Sequence, residues 1–257
     1  MSQLKQPNEI KKMAASGRQL AEILDEVKKH VRVGISTGEL DRIAAKLMQD
    51  AGVKPAFLGY RGYPGVLCTS RNEQVVHGIP SNDEILQNGD LLSIDIGIVK
   101  EGWYADMAET VAVGNISYAA ERLMSTTREA LQRGIAALKI GEPLGRVGAA
   151  VQSFSESRGY GVVRDLCGHG IGRAMHEDPM VPNYGSAESG PIVQPGLVIA
   201  IEPMITAGKW QVKTLADGWT VVTADGGLSA HFEKTVAVTE HGVEILTGLS
   251  HGKNSRA

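Results

Sequence analysis

The sequence predicts an α+β fold built from two similar halves, each with two helices that precede a set of strands. Three short patterns of the first half recur in the same order in the second half. They are Leu67-Cys68 with His77 and Leu166-Cys167 with His176, Gly89 leading to Asp95 and Gly196 leading to Glu202, and residues 110–113 and 235–238, with offsets of 99, 107 and 125 residues. Helices segregated from strands in this way indicate a mixed sheet covered on one face, rather than a doubly wound fold. Two halves related by a pseudo-two-fold axis would bring the equivalent residues together at a shared centre.

The individual elements follow from hydrophobic spacing and from capping residues. Apolar residues three and four apart after Pro7 predict a first amphipathic helix, and Ser36 with Glu39 forms a capping box for a second helix that ends at Gly52. Helices are predicted at residues 10–31, 40–47, 118–138 and 147–154, strands at 66–68, 74–76, 91–96, 103–113, 161–163, 196–202, 219–223 and 231–238, a loop at 57–65, and a frayed tail at 251–257.

The composition is that of an ordinary globular domain. Hydrophobic residues make up 42% of the chain, and the formal net charge of -3 gives no electrostatic reason to expect nucleic acid or an anionic membrane as a partner. Apolar runs are far shorter than the ~20 residues of a membrane span, and the N-terminus lacks the apolar core of a secretion signal. Two cysteines provide no disulfide framework. No linker divides the chain, so we expect one domain over residues 1–257 in a reducing cytoplasm.

The segment from Gly89 to residue 113 is predicted to form a β-hairpin with a carboxylate on each arm. Asp95 lies in the first strand and Asp106 in the second, and a turn at residues 100–102 joins the strands. The two carboxylates can therefore face each other across the sheet. A buried carboxylate without a cation costs several kcal/mol or becomes protonated, so the arrangement requires a positive partner. For either residue alone, an Asp that only caps a turn is the alternative.

The second half adds two carboxylates and a histidine. Glu202 occupies the position equivalent to Asp95. Glu233 precedes a threonine by an even number of residues, as Asp106 does, so strand alternation is expected to place both on the same face. His169 lies among glycines, where its ring is expected to be unshielded, and the absence of a following Gly-Lys-Ser/Thr argues against a phosphate loop. A satisfied structural histidine is the alternative.

Four carboxylates and one imidazole are mostly hard oxygen ligands with one borderline nitrogen. This donor set suits Mn(II), Fe(II) or Co(II), with Zn(II) also compatible, and it argues against a structural zinc site. Two divalent ions would neutralise four carboxylates, whereas a single ion would leave them repelling one another. Because paired metal ions can deprotonate a shared water near neutral pH, the predicted chemistry is hydrolysis.

With these residues the chain resembles the type I methionine aminopeptidases, which have the pita-bread fold, over nearly its whole length. The motifs that carry the resemblance are Ser93-Ile94-Asp95-Ile96-Gly97, Ala105-Asp106, Gly168-His169-Gly170-Ile171-Gly172, His176-Glu177-Asp178-Pro179, Ile201-Glu202-Pro203 and Phe232-Glu233-Lys234-Thr235. The resemblance implies that two divalent ions are bound by Asp95, Asp106, His169, Glu202 and Glu233, with Asp106 and Glu233 bridging. It also implies removal of the initiator methionine from nascent chains, with preference for a small second residue.

The resemblance assigns further roles around the ligands. His176 would stabilise the oxyanion, Glu202 would shuttle protons, and His77 would bond the scissile amide or help to move protons. The methionine side chain would be held by aromatic and sulfur-containing residues, namely Phe57, Tyr60, Tyr63, Cys68, Met175 and Trp219. A monovalent cation would lie at Asn72, Gln74 and Ser229.

Four residues depart from the common pattern of the family. Phe57 replaces a residue that is often small, and Met175 replaces one that is often Phe. His231 and Lys234 flank Glu233 where Gln and His are usual. These departures bear on the shape of the pocket and on the groups that surround the ligands.

Two other functions are alternatives at this stage. Xaa-Pro peptidases of the same fold usually carry a large N-terminal domain, whereas the first helix here is predicted to begin after about nine residues. A non-catalytic pita-bread binding protein would be expected to have lost ligands, and all five are present. The expected partners are nascent polypeptide N-termini, bound by a monomer without nucleic acid or membrane, and association with the ribosome is left open.

Overall fold

The structure, a computed structural model, describes residues 4–248 and is an α+β fold over that range. The helices are α1 (Pro7–Lys29), α2 (Thr37–Asp50), α3 (Tyr118–Ala137) and α4 (Gly145–Glu156). The strands are β1 (Lys54–Pro55), β2 (Leu67–Arg71), β3 (Gln74–Val76), β4 (Leu91–Lys100), β5 (Trp103–Ala112), β6 (Gly161–Val162), β7 (Gly168–Gly170), β8 (Glu177–Val181), β9 (Val198–Ile201), β10 (Met204–Thr206), β11 (Val212–Thr214), β12 (Val221–Thr223), β13 (Ser229–His231), β14 (Lys234–Thr239) and β15 (Gly242–Ile245).

Capping residues set the starts of the first two helices, as the sequence predicts. Pro7 occupies the first position of α1, where an N–H has no intrahelical partner, and the Glu9 side chain accepts a hydrogen bond from the N–H of Gln6 at 2.9 Å. The Ser36 hydroxyl accepts from the N–H of Glu39 at 3.1 Å at the start of α2. The two helices therefore begin at defined residues rather than fraying.

Both halves have the same strand arrangement. In the first half β4 pairs with β2 and β5, and in the second half β9 pairs with β7 and β14, all antiparallel. Helices α1 and α2 precede the first set, and α3 and α4 precede the second. This repetition confirms the predicted two-half architecture.

Each helix pair covers its own sheet with a separate hydrophobic cluster. Leu24 of α1 and Leu40 of α2 are fully buried against Ile94 and Ile96 of β4. Burial of each such side chain contributes about 1.5–3 kcal/mol. Because strand side chains alternate, Asp95 lies on the opposite face of β4 from these isoleucines, away from the helices.

Two threonines join the sheets of the two halves. Thr110 donates its hydroxyl to the carbonyl of His231 and accepts from the N–H of the same residue, both at 2.9 Å. Thr235 donates to the carbonyl of Asp106 at 2.7 Å and accepts from its N–H at 3.3 Å. The two threonines are 125 residues apart, and so are their two partners. The contacts are therefore related by the pseudo-two-fold symmetry that the sequence pattern predicts.

The prediction of one continuous strand at residues 231–238 is wrong. β13 ends at His231 and pairs with β10, whereas β14 begins at Lys234 and pairs with β9, which leaves Glu233 between two strands. The N–H of Glu233 instead donates to the carbonyl of Ala108 across the joint at 2.9 Å. The position of Glu233 is thus set by a contact with the other half, and the alternation argument does not apply to it.

Strand β7 lies where the sequence indicates only a glycine-rich stretch. A Cβ at Gly168 would lie 2.3 Å from the carbonyl oxygen of Ala200, and one at Gly170 would lie 2.2 Å from that of Asp178. The glycines therefore allow neighbouring backbone to approach closely, which is a recognised role of glycine in a strand.

None of the helices between residues 4 and 248 is long and apolar enough to cross a membrane. The predicted frayed tail at 251–257 lies outside the residues that the structure describes.

Candidate active site

Asp95 and Asp106 lie on one face of the hairpin formed by β4 and β5. Asp95 is paired with Ala108 and Asp106 with Gly97, so the two carboxylates are diagonal neighbours rather than directly opposite. They are close enough for each to shift the pKa of the other. The structure therefore brings the two residues together, as expected from the hairpin.

Three more predicted ligands converge on this face from the second half. His169 lies on β7, Glu202 directly follows β9, and Glu233 lies between β13 and β14. Ligand atoms of Asp106, His169 and Glu233 all lie within 4.8 Å of one another. His169 Nε2 is 3.7 Å from Glu202 Oε1 and 3.9 Å from Asp106 Oδ2. Asp95 joins them as the diagonal neighbour of Asp106, and burial, followed by the charges of Asp106 and Glu202, raises its pKa. These five residues form one ligand cluster.

The ligand cluster is buried, and no lysine or arginine of the described residues lies with it in the cavity wall except Arg61 at the mouth. Burial raises the pKa of Asp106 to about 7. Burial, together with repulsion between the carboxylates, raises the pKa values of Asp95, Glu202 and Glu233 well above their usual range. Three oxygens, Asp95 Oδ1, Asp106 Oδ1 and Glu233 Oε1, are buried without a hydrogen-bond partner. Divalent cations would satisfy these oxygens and restore the ionised carboxylates, so the donor set fits divalent metal binding.

His169 is held with one ring nitrogen available to the cluster. Its Nδ1 lies 2.9 Å from the carbonyl oxygen of Gly170, a contact that places the ring proton on Nδ1 and leaves the Nε2 lone pair facing the carboxylates. Burial lowers the pKa of His169 to about 4, so the imidazole is neutral near pH 7. The expectation of an unshielded ring is wrong, because β8 and β9 flank β7 and leave the side chain only 10% exposed.

Two further predicted histidines face the ligand cluster. The ring centroid of His176 lies 4.3 Å from that of His169, and its Nδ1 lies 2.7 Å from the Tyr60 hydroxyl. Burial, and then the charge of Arg61, lowers the pKa of His176. Burial lowers the pKa of His77 to about 4. Both rings line the same cavity as the ligands.

A cavity of about 250 Å³ opens beside the ligand cluster. Its wall includes every residue of the predicted pocket: Phe57, Tyr60, Tyr63, Cys68, Met175 and Trp219. The Tyr63 hydroxyl lies 3.0 and 2.9 Å from the carbonyl oxygens of Leu67 and Gly78, which fixes its ring. Burial raises the pKa of the Cys68 thiol, so this residue is a small apolar wall group rather than a nucleophile. An aromatic and sulfur-lined wall suits a thioether side chain.

The four residues that depart from the family pattern have different surroundings. Phe57 and Met175 are both buried and pack in the wall of the cavity. His231 is buried with its Nε2 3.7 Å from Glu202 Oε2. Lys234 forms a 2.9 Å ion pair with a glutamate of β5 and does not line the cavity.

The residues predicted for a monovalent cation lie together but outside the cavity wall. The Ser229 hydroxyl lies 3.3 Å from the carbonyl oxygen of Asn72 and 3.0 Å from that of Gln74. The N–H of Ser229 also donates to the Asn72 carbonyl at 2.8 Å. Three oxygens thus converge where β3 approaches β13.

Two residues of the site are absent from the sequence prediction. Arg61 lines the mouth of the cavity with a φ of 49°. Asn183 is fully buried and donates from Nδ2 to the backbone carbonyl of Glu202 at 3.0 Å. Neither residue belongs to a sequence motif or to a hydrophobic repeat that would have indicated a function. For Asn183 the sequence gives only a Pro-Asn dipeptide, which is typical of irregular backbone.

Comparisons with known proteins agree with this geometry. The profile of metallopeptidase family M24 matches residues 11–240. Methionine aminopeptidase 1 of Bacillus subtilis is 48% identical over 243 residues, which is 95% of this chain and 98% of that protein. The solved methionine aminopeptidase of Thermotoga maritima has a TM-score of 0.94 at 43% identity and covers 96% of this chain and 99% of its own. The prolidase of Pyrococcus horikoshii, at 22% identity and a TM-score of 0.78 over 63% of its length, shares the fold alone. The predicted fold class is confirmed.

Proposed function

Because the chain belongs to metallopeptidase family M24, we propose that it is a methionine aminopeptidase that removes the N-terminal methionine from proteins and peptides. The observation that carries this proposal is the convergence of five ligand-type side chains from both halves, three buried and two partly buried, on one cavity with an apolar wall. The ligand cluster supports hydrolysis, and the wall supports a methionine side chain as the group that is recognised.

We propose that the ligand cluster binds two divalent ions, Co, Mn or Fe, with Zn also compatible. They would be held by Asp95, Asp106, His169, Glu202 and Glu233. When bound, the ions would supply Lewis-acid polarisation of the scissile carbonyl and an activated water. The unpartnered carboxylate oxygens of the cluster support this assignment.

We propose that His176 stabilises the developing oxyanion by donating a hydrogen bond to it. The Tyr60 hydroxyl can donate to Nδ1 of the neutral ring at 2.7 Å, which leaves the ring proton on Nε2. A donor held in place before the reaction stabilises charge that appears only in the transition state. Tyr60 is therefore a positioning residue for His176.

Glu202 is the residue that we propose to accept and return the proton of the nucleophile. Asn183 holds its backbone carbonyl, and His231 Nε2 lies 3.7 Å from Oε2. His77, which lines the cavity beside Trp219, would hydrogen-bond the scissile amide or help to move protons.

Specificity would follow from the size and chemistry of the cavity. Phe57 and Met175 line a space of about 250 Å³, which accommodates an unbranched thioether side chain. We also propose the preference for a small second residue that the resemblance to methionine aminopeptidases implies.

The natural substrates that we propose are nascent polypeptide N-termini in the cytoplasm, bound by a monomer that uses neither nucleic acid nor a membrane. Cosedimentation of the protein with ribosomes tests whether the two associate.

We also propose that the oxygens of Asn72, Gln74 and Ser229 bind a monovalent cation. The proposal is supported by the distances of 3.3 and 3.0 Å from the Ser229 hydroxyl to the carbonyl oxygens of Asn72 and Gln74.

The test is cleavage of matched peptides by protein loaded with Mn(II) or Co(II). Met-Ala-Ser should be cleaved at least about 100-fold faster than Leu-Ala-Ser or Met-Lys-Ser, because a branched or large group does not fit. Glu202→Gln should lower kcat far more than it changes KM. Equal rates on the three peptides would refute the pocket assignment, and cleavage of Ala-Pro-Ser in their place would favour an Xaa-Pro peptidase.

A further inference from the structure

Arg61 is an exposed cation at the mouth of the cavity that the proposed chemistry does not use. Its guanidinium lies 5.5 Å from the centroid of the Tyr60 ring. Among residues 4–248 it has no carboxylate partner. The mouth of the cavity therefore presents a positive charge that nothing in the described part of the chain neutralises.

The backbone at Arg61 is one that most side chains avoid. Its φ and ψ of 49° and 26° lie in the left-handed region, and its neighbours Gly59 and Gly62 have φ values of 82° and 88°. A glycine would adopt this turn without strain, so the local structure does not require an arginine here. Non-glycine residues in such conformations are concentrated at functional sites.

The position of Arg61 relates it to the substrate beyond the cleaved bond. The guanidinium lies over the ring of Tyr60, and the hydroxyl of Tyr60 bonds the imidazole of His176, so the guanidinium lies on the His176 side of the mouth. With the methionine side chain in the apolar pocket, the rest of the peptide must leave through this mouth. Consecutive Cα atoms are about 3.8 Å apart, so a side chain two residues after the methionine is within reach of an arginine.

We propose that Arg61 is a specificity-determining residue that favours substrates with an acidic side chain at the third position and disfavours basic ones. The inference rests on the proposed function, because it needs methionine to enter the pocket. An exposed ion pair contributes modestly, so we expect an acidic peptide to exceed its neutral counterpart by about twofold to fivefold in kcat/KM, and a basic peptide to fall short by a similar factor. The preference should diminish at high salt, because exposed charges are screened.

The experiment compares Met-Ala-Asp-Ser, Met-Ala-Asn-Ser and Met-Ala-Lys-Ser, all amidated at the C-terminus so that only the third side chain changes charge. The wild type is compared with Arg61→Asn, which removes the charge with a residue that tolerates left-handed backbone, and with Arg61→Lys, which retains the charge. The matched control is Arg122→Asn. Arg122 lies 5.9 Å from the ring of Tyr118 in the same kind of contact, on α3 and outside the cavity wall.

The expected result is an acidic-to-basic ratio of kcat/KM of about fourfold or more in the wild type and in Arg122→Asn, near one in Arg61→Asn, and largely restored in Arg61→Lys. An unchanged ratio in Arg61→Asn, or a wild-type ratio near one, would overturn the inference while leaving the proposed function intact. Failure of the metal-loaded wild type to cleave any of the three peptides would overturn both.

Discussion

Lys5 and Glu177 form an ion pair whose loss should destabilise the turn that carries His176. Lys5 Nζ lies 2.6 Å from Glu177 Oε2, with side chains that are 3% and 13% exposed. The other carboxylate oxygen accepts the N–H groups of Arg173 and Ala174 at 2.7 and 3.0 Å. Glu177 therefore stabilises the turn between β7 and β8, and its ion pair with Lys5 links this turn to the N-terminal segment.

Lys5→Met removes the ammonium but retains an unbranched apolar side chain. Loss of one partner of a buried ion pair costs about 3–5 kcal/mol, since the other charge stays buried. Because Glu177 keeps two N–H donors and slight exposure, we expect a loss of about 2–3 kcal/mol in the free energy of unfolding. In a domain of this size that corresponds to a decrease in Tm of about 5–10 °C.

The assay is urea unfolding of Lys5→Met, Glu177→Gln and the double variant, with hydrogen exchange at Arg173 and Ala174 measured in parallel. The double variant should lose less than the sum of the two single losses, because the pair is broken only once. Lys28→Met is the control, since its 2.9 Å pair with a glutamate of β5 is about one quarter exposed and should contribute less than about 1 kcal/mol. A wild-type midpoint for Lys5→Met, or additive losses, would refute the argument.

Three shorter predictions concern Tyr60, Glu177 and Thr235. Tyr60→Phe removes the hydroxyl that orients the neighbouring imidazole, so kcat should fall several-fold with little change in KM, and an unchanged kcat would contradict that role. Burial alone would raise the pKa of Glu177, but Lys5 and two N–H groups outweigh burial and lower the pKa below its ordinary value. The carboxylate therefore stabilises the fold at pH values above its unfolded pKa, and this stability is lost as pH falls through the folded pKa. Unfolding measured between pH 6 and 3 should therefore show a smaller acid-induced loss in Glu177→Gln than in the wild type, and parallel curves would count against it. Thr235→Val removes the hydroxyl that bonds both backbone groups of Asp106, so urea unfolding should show a loss of about 1–3 kcal/mol, and wild-type stability would mean that this joint contributes little.

The hairpin carboxylates could be predicted because their signal is local. Leu92, Ile94 and Ile96 alternate with Asp95 along one strand, and this period of two fixes the face on which the carboxylate lies. The repeated patterns likewise predict the symmetric joint, since Thr110 and its counterpart occupy equivalent places in two copies of one unit.

The remaining features depend on contacts between distant parts of the chain. Glu233 is placed by a hydrogen bond to Ala108 across the joint, and Lys5 meets its partner across 172 residues of sequence. His169 is shielded by strands that its glycine-rich neighbourhood does not reveal. Arg61 adopts a left-handed backbone between glycines, which has no hydrophobic period. In each case the determining contact is long-range or conformational, so spacing along the sequence does not encode it.

The most direct measurement counts divalent ions and peptide cleavage in the same samples of the wild type and of Asp106→Asn. After dialysis against a chelator the wild type should hold no metal and leave Met-Ala-Ser intact, and activity should return as Mn(II) or Co(II) binds, up to two ions per chain. Asp106→Asn should bind metal more weakly and stay inactive at the same loading, because a ligand carboxylate is lost. Full cleavage by metal-free protein, or wild-type metal content and activity in Asp106→Asn, would contradict the account.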